Sequence, residues 1–285
     1  MKNSGLISLC MLVWVLNACG SSDSRDSSIV AEYVYDTVGT KVTLNVYRAG
    51  QKISLQEFQL LDDSLVPHGA HRDWFLNGRL EREYTFISGL KEGSFQEYDS
   101  LGNIRFRFWF RNDGLDSIGL MYFDNGKLAQ RNYYLDGRLF GQREFFSPAG
   151  HLTEVFLHAK KRGYVFHIKY DSSGNYFEKR GSPMMVIYNY DSLPINRDYI
   201  VAVHLADLPG MNPELYWSII DRRGDTVQSE TVKAFNQMYG CFYDIILHRF
   251  KKKGKYQVVF YVTYEDVSKE TKLLQDSGRV NLVVE

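Results

Sequence analysis

Histidines, cysteines and carboxylates are where chemistry in this 285-residue chain would have to lie. His68, His71, His151, His158, His167, His204 and His248 fall in no HExxH or Cys-x-x-Cys spacing, and no Gly-x-Ser-x-Gly elbow presents a nucleophile. His68 and His71, close to Asp73, could share a surface cation, and His158 and His167 flank a turn and could face each other. Incidental, solvated pairs account for both. Glu81, Glu83, Glu92 and Glu97 read as polar-face carboxylates, since nothing sets two of them around one cleft. No phosphate loop or dinucleotide fingerprint follows a strand. The expectation is a protein that is not an enzyme and uses no cofactor and no metal.

Three cysteines remain, Cys10, Cys19 and Cys241. Lys2 precedes an apolar run from Leu6 to Leu16 broken only by Ser8, too short to span a bilayer and readable as a signal peptide over residues 1–18. It closes on Leu16-Asn17-Ala18-Cys19, which resembles the lipobox of bacterial lipoproteins. The resemblance implies acylation of Cys19, cleavage before it and anchoring to a membrane, each buried CH₂ contributing about 0.8 kcal/mol. Gly20 at the following position, where such proteins retained at the inner membrane carry Asp, implies an outer-membrane address, with the periplasmic or surface side left open. Residues 19–28 then form a polar tether with no apolar residue after Cys19. With Cys10 removed and Cys19 acylated, Cys241 has no partner for a disulfide and reads as a buried structural thiol. Lys plus Arg and Asp plus Glu are equal at 34 each, so the electrostatics point to no nucleic acid.

Gly78, Gly102, Gly126, Gly150 and Gly174 stand at a strict 24-residue period. Trp74, Tyr98, Tyr122, Phe146 and Tyr170 precede them by four positions, and Leu80, Ile104, Leu128, Leu152 and Tyr176 follow by two. Such a period means one supersecondary unit repeated along a line. Asn77-Gly78 and Asn125-Gly126 predict two-residue type I′ hairpin turns. A second, less regular set falls midway at Ser88-Gly89, Asp113-Gly114, Asp136-Gly137 and Arg162-Gly163. Two turns per repeat leave two strands of about eight residues, and the period-2 spacing of Phe106, Phe108 and Phe110 agrees. Trp109 and Tyr133, with Phe75 and Phe123, have the parity opposite to the main aromatic column. They are the candidate ligand contacts, by ring stacking on a glycan or packing on a partner protein; core packing is the plainer account.

Gly69-Trp74-Gly78-Leu80, Gly93-Tyr98-Gly102-Ile104 and Ser117-Tyr122-Gly126-Leu128 resemble the bacterial variant of the MORN repeat, whose members are often labelled antitoxin-like. Gly89 to Gly93 and Gly137 to Gly141 carry the Gly-x3-Gly linkage of that family. The resemblance covers roughly residues 66 to 180 and implies a ribbon of hairpins with no particular activity. A cytosolic antitoxin would have no lipobox.

Residues 29–66 read as a β-rich cap or degenerate repeat and residues 67–180 as the array. After Gly181 the period stops, and seven candidate strands over residues 181–285 fit a β-sandwich, immunoglobulin-like or of another connectivity. Lys253-Gly254-Lys255-Tyr256 resembles the approach to a corner tyrosine in such domains, and Trp217 is the expected core anchor. The fold class expected is all-β: an antiparallel ribbon of about five 24-residue hairpin repeats, then a sandwich. The function expected is that of a membrane-anchored envelope protein binding a protein partner as a scaffold, or alternatively a glycan through the aromatic residues of the array.

Overall fold

The computed structural model describes residues 31–159, 163–266 and 271–285. The leader, Cys19 and the tether lie outside them. Every regular element among the described residues is a β-strand. A thirteen-stranded sheet takes its strands in chain order: β1 (Ala31–Val38), β2 (Lys41–Arg48), β3 (Gln51–Leu61), β4 (Ser64–Trp74), β5 (Leu80–Ile87), β6 (Leu90–Tyr98), β7 (Ile104–Arg111), β8 (Gly114–Tyr122), β9 (Leu128–Leu135), β10 (Arg138–Phe146), β11 (Leu152–Ala159), β12 (Gly163–Tyr170) and β13 (Tyr176–Gly181). Residues 31–66, expected as a cap or degenerate repeat, form strands of this same sheet.

The turns reverse the assignment made from the Asn-Gly pairs. Phe75 N–H donates to Arg79 O and Gly78 N–H to Phe75 O, both at 2.9 Å, closing a three-residue loop. Only its glycine, at φ +80°, is left-handed, the signature of a type I turn with a G1 bulge. Asp99–Asn103, Ser147–His151 and Asp171–Asn175 repeat this bonding. The type I′ turns lie in the other set, where Ser88-Gly89, Asn112-Asp113 and Asp136-Gly137 have positive φ at both positions. The expected Asp113-Gly114 turn is therefore Asn112-Asp113. Stacked contacts fix the strict period of the glycine turns. Asn77 Nδ2 donates to Ser100 O at 2.7 Å, Arg79 to Leu101 O, and Lys127 Nζ to Ala149 O at 2.7 Å, each reaching the next turn of the set.

All seven expected C-terminal strands are present, with two short ones added: β14 (Met184–Tyr188), β15 (Ser192–Leu193), β16 (Asp198–Ala206), β17 (Met211–Asp221), β18 (Thr226–Val232), β19 (Asn236–Met238), β20 (Cys241–Arg249), β21 (Gly254–Asp266) and β22 (Thr271–Val284). They form a four-stranded sheet, β14-β16-β20-β19, and a five-stranded one, β15-β22-β21-β17-β18. Inward residues alternate along them, as in Leu215, Trp217 and Ile219 or Val258, Phe260 and Val262, all 2% exposed or less. Tyr256 Oη donates to Lys252 O at 3.0 Å, the corner bond expected of it.

The chain divides into two compact units, one reaching Asp116 and taking in Leu120–Gly126, the other comprising Ser117–Gly119 and Lys127–Glu285. Their interiors differ. Among the described residues, Val42 is the one buried apolar side chain of the first unit, whereas those from Phe140 to Val284 belong to the second. In that second unit Val155 faces Ile168 and Leu157 faces Phe166 across β11 and β12, and this face of the ribbon joins the core of the sandwich.

Candidate protein-docking face

Strand β10 carries the bulge on which this packing turns. Tyr134 pairs with Leu139 and Asn132 with Arg143, so Phe140, Gly141 and Gln142 stand opposite Tyr133 alone. Gly141 sits at φ +78°, and a β-carbon there would lie 2.4 Å from Tyr239 O. The bulge frees the Gln142 N–H from the ladder; it donates to Tyr239 O at 2.9 Å. The Gln142 side chain closes a second pair of bonds. Its Nε2 donates to Asp207 O and its Oε1 accepts from Asp207 N–H, each at 2.8 Å. Three backbone groups of the sandwich are thus bonded by one ribbon residue.

What enters the bulge is a hairpin tip. Tyr239 and Gly240, at φ +51° and +68°, form a type I′ turn between paired Met238 and Cys241. Tyr133 lies so close to Gly240 that a β-carbon would stand 2.3 Å from its ring. Phe140 sets its edge against Tyr239 and His204, with centroids at 5.1 and 5.4 Å, and His204 stacks on Tyr243. The surroundings suppress charge. Burial pushes the Cys241 thiol up to about 12 and the His204 imidazole down to about 4. Asp207 is raised by burial and then by neighbouring Glu144, with Arg131 opposing. With its thiolate suppressed by burial, Cys241 packs as a thiol, and the bulge seats the Tyr239-Gly240 turn.

The bulge recurs in the first unit with other contents. At Gly69 the ladder skips from Gln56–His71 to Phe58–Pro67, and the Ala70 N–H donates to the carboxylate of Glu57 at 2.9 Å. At Gly93 it skips from Glu83–Gln96 to Thr85–Glu92, and nothing lies within 4 Å of where a β-carbon would be. Trp109 pairs with Ser94 on the face that carries Gln96 and Arg107. It also begins a 24-residue column, 109, 133, 157. Tyr133 of that column meets Gly240 and Leu157 is fully buried in the core, while Trp109 is half-buried with no ring or hydrogen-bond partner among the described residues. Of the two candidate contacts, Tyr133 thus packs on Gly240 within the chain, and Trp109 is half-buried.

The histidine pairs part. His71 Nε2 lies 3.0 Å from Asp73 Oδ2 and also stacks on Tyr84, whereas His68 Nδ1 accepts from Ser88 N–H. Burial by itself raises the Asp73 carboxyl, but hydrogen bonds from His71, Ser54 and Arg82 outweigh it and hold the group well below the usual carboxylate range. His167 pairs with Phe156, stacked at 4.0 Å, and His158 with Tyr164. No chemical motif in the sequence singles out Gln142 or the Tyr239-Gly240 tip. The Tyr-Gly dipeptide between two strand patterns was their one visible signal.

No family profile matches the chain, and no curated protein is significantly similar to it. Among solved structures, the CARDB domain of the PF1109 protein of Pyrococcus furiosus, in complex with di-metal ions, is similar over 36% of this chain and 85% of that one, at 14% identity and a TM-score of 0.26. The fold and the seat define an all-β protein whose second unit packs the hairpins of β9–β13 against a β-sandwich.

Proposed function

We propose that the protein is a lipid-anchored envelope scaffold without enzymatic activity, whose hairpin ribbon holds β-structured partners against its bulged face. One observation carries the reading: the ribbon already seats a β-hairpin tip in its own chain, through Gly141, Gln142 and Tyr133. The first unit offers a bulge at Gly93, which stands across from Tyr84, with nothing within 4 Å of a β-carbon placed there, and on the strand at its other side the half-buried ring of Trp109 opposite Ser94. A partner would present a tight turn whose carbonyl meets the bulge and whose small residue lies against the ring. Acylation of Cys19 would restrict the scaffold to the membrane and raise its effective concentration there.

Placing a photo-crosslinking amino acid at position 109 in intact cells tests the partner. The expected result is one envelope protein captured in stoichiometric amount and lost when Gly93 is replaced by a bulky residue. Capture of none sinks the scaffold reading, and loss of polysaccharide retention on Trp109→Ala transfers the site to a glycan. Separately, Cys19→Ser should release the protein from membranes; continued membrane association would refute the anchor.

A further inference from the structure

We infer that two copies of this chain pair along the free edge of β20, antiparallel and centred on Ile246. One edge of β20 is paired with β16 along its whole length, from Cys241–Ala206 to Arg249–Asp198. The other meets β19 only at Cys241, Phe242 and Tyr243. From Asp244 to Arg249 that second edge has no ladder partner among the described residues. A row of unpaired N–H and C=O groups is a template for another strand, and proteins normally blunt it with proline, lysine or a bulge. Asp244-Ile245-Ile246-Leu247-His248 has no proline, lysine or glycine, and its pairing with β16 runs without a bulge. The opposite side of the sandwich edge, β18, reads Thr-Val-Gln-Ser-Glu-Thr-Val and is far more polar.

The apolar side chains of this edge are presented outward. Ile245 and Leu247 are 53% and 60% exposed. They continue a surface with Ile187 and Ile200, through the pairs Ile187–Ala202, Ala202–Ile245 and Ile200–Leu247. The next row of that face, Met185, His204 and Tyr243, is the one Phe140 of the ribbon covers at His204. The surface is therefore continuous with an interface the protein already makes. At its far end Asp198 and Arg249 neutralise each other through bonds of 2.6 and 2.9 Å.

The sequence of the edge complements itself. A two-fold axis through Ile246 places Ile245 opposite Leu247 of the second copy, an apolar pair on each side of the axis, and Asp244 opposite its His248, a polar pair in which the imidazole Nδ1 is already held by Gln228 at 2.6 Å. Centring on Leu247 instead would set Ile245 against the second copy's Arg249. Centring on Ile245 would demand the stretch of edge at Tyr243 that Asn236 already occupies. The charges and the length of β19 thus select one register. Such a pairing would fuse two four-stranded sheets into one across the dimer.

Sedimentation velocity of the full chain in non-ionic detergent, over about 1 to 100 µM, tests this. A monomer–dimer equilibrium is expected, weakened at least about tenfold by Leu247→Lys. Combining Leu247→Lys with Ile245→Glu should restore it, because each lysine then faces the second copy's glutamate. Ile200→Lys, on the same face but on the interior strand β16, should leave it intact. A wild-type chain monomeric throughout overturns the proposal whatever the variants do. So does a double variant that stays monomeric, or an Ile200→Lys chain that dissociates as fully as Leu247→Lys, since the contact would then be the face and not the edge.

Discussion

At His204 an ionisable ring is held neutral between Phe140 and Tyr243, 5% exposed and with no partner for Nδ1. Burial lowers its pKa from 6.5 to about 4. Between those values the unfolded chain binds a proton that the folded chain refuses, so this contribution to stability is complete above pH 6.5 and is lost as pH falls toward 4. The span corresponds to about 3 kcal/mol. His204→Phe should remove that part of the pH dependence while keeping the stacking. Urea midpoints at pH 7 and pH 4.5 should therefore draw further apart in the wild type than in the variant, and equal separations would mean that His204 titrates normally. The sequence could not announce this group, because His204 lies among alternating apolar residues in a strand whose outer face a polar residue would ordinarily occupy. Its burial comes from Phe140, 64 positions earlier in the chain, across a contact no local pattern encodes.

Elements were legible wherever the signal was local. Strand parity and turn spacing place the hairpins, yet Asn-Gly by itself points to a two-residue type I′ turn where the chain makes a three-residue loop. The column as a whole held the correction: Leu101 and Ala149 occupy the position before glycine, and neither adopts positive φ cheaply. A three-residue loop asks that only of the glycine. The bulge glycines were visible as a column too, but not their different contents, which depend on what packs against each one. That difference is measurable. Gly93→Ala and Gly141→Ala both place a side chain at φ near +80°, costing about 1–2 kcal/mol by strain. Only at Gly141 does the new carbon also meet Tyr239 O, displacing the hairpin tip and its bond to Gln142, for about 1–3 kcal/mol more. Urea denaturation should rank Gly141→Ala as clearly the worse. Similar losses at the two positions would deny the bulge its docking role.

On the scale of the whole molecule, the sheet is long but its interior is not shared evenly. The 24-residue repeat reads as one array up to about residue 180, and nothing in its period marks the change at residue 126, where membership of the two compact units passes. The repeat keeps its own register there, while the apolar core begins only with Phe140. In the first unit the sheet is held by ladder bonds and by half-buried rings, such as Tyr84, Phe95 and Phe110, with Lys91 over Tyr84 and Phe110. In the second, strands of the same repeat close over Tyr199, Phe260 and Tyr264, whose hydroxyl donates to Ala206 O at 3.0 Å. Local opening is cheapest where few apolar contacts oppose it. Hydrogen exchange followed by mass spectrometry should accordingly find β2–β7 exchanging through openings well below the global free energy, and β11, β12, β16, β17 and β21 only near it. Protection at β5 and β6 equal to that at β17 and β21 would show that the ladder alone stabilises the ribbon as strongly as a core. A separate early transition on heating, recorded by peptides from residues 41–111 alone, would identify the first unit as the part of the molecule that a partner's binding has most room to stabilise.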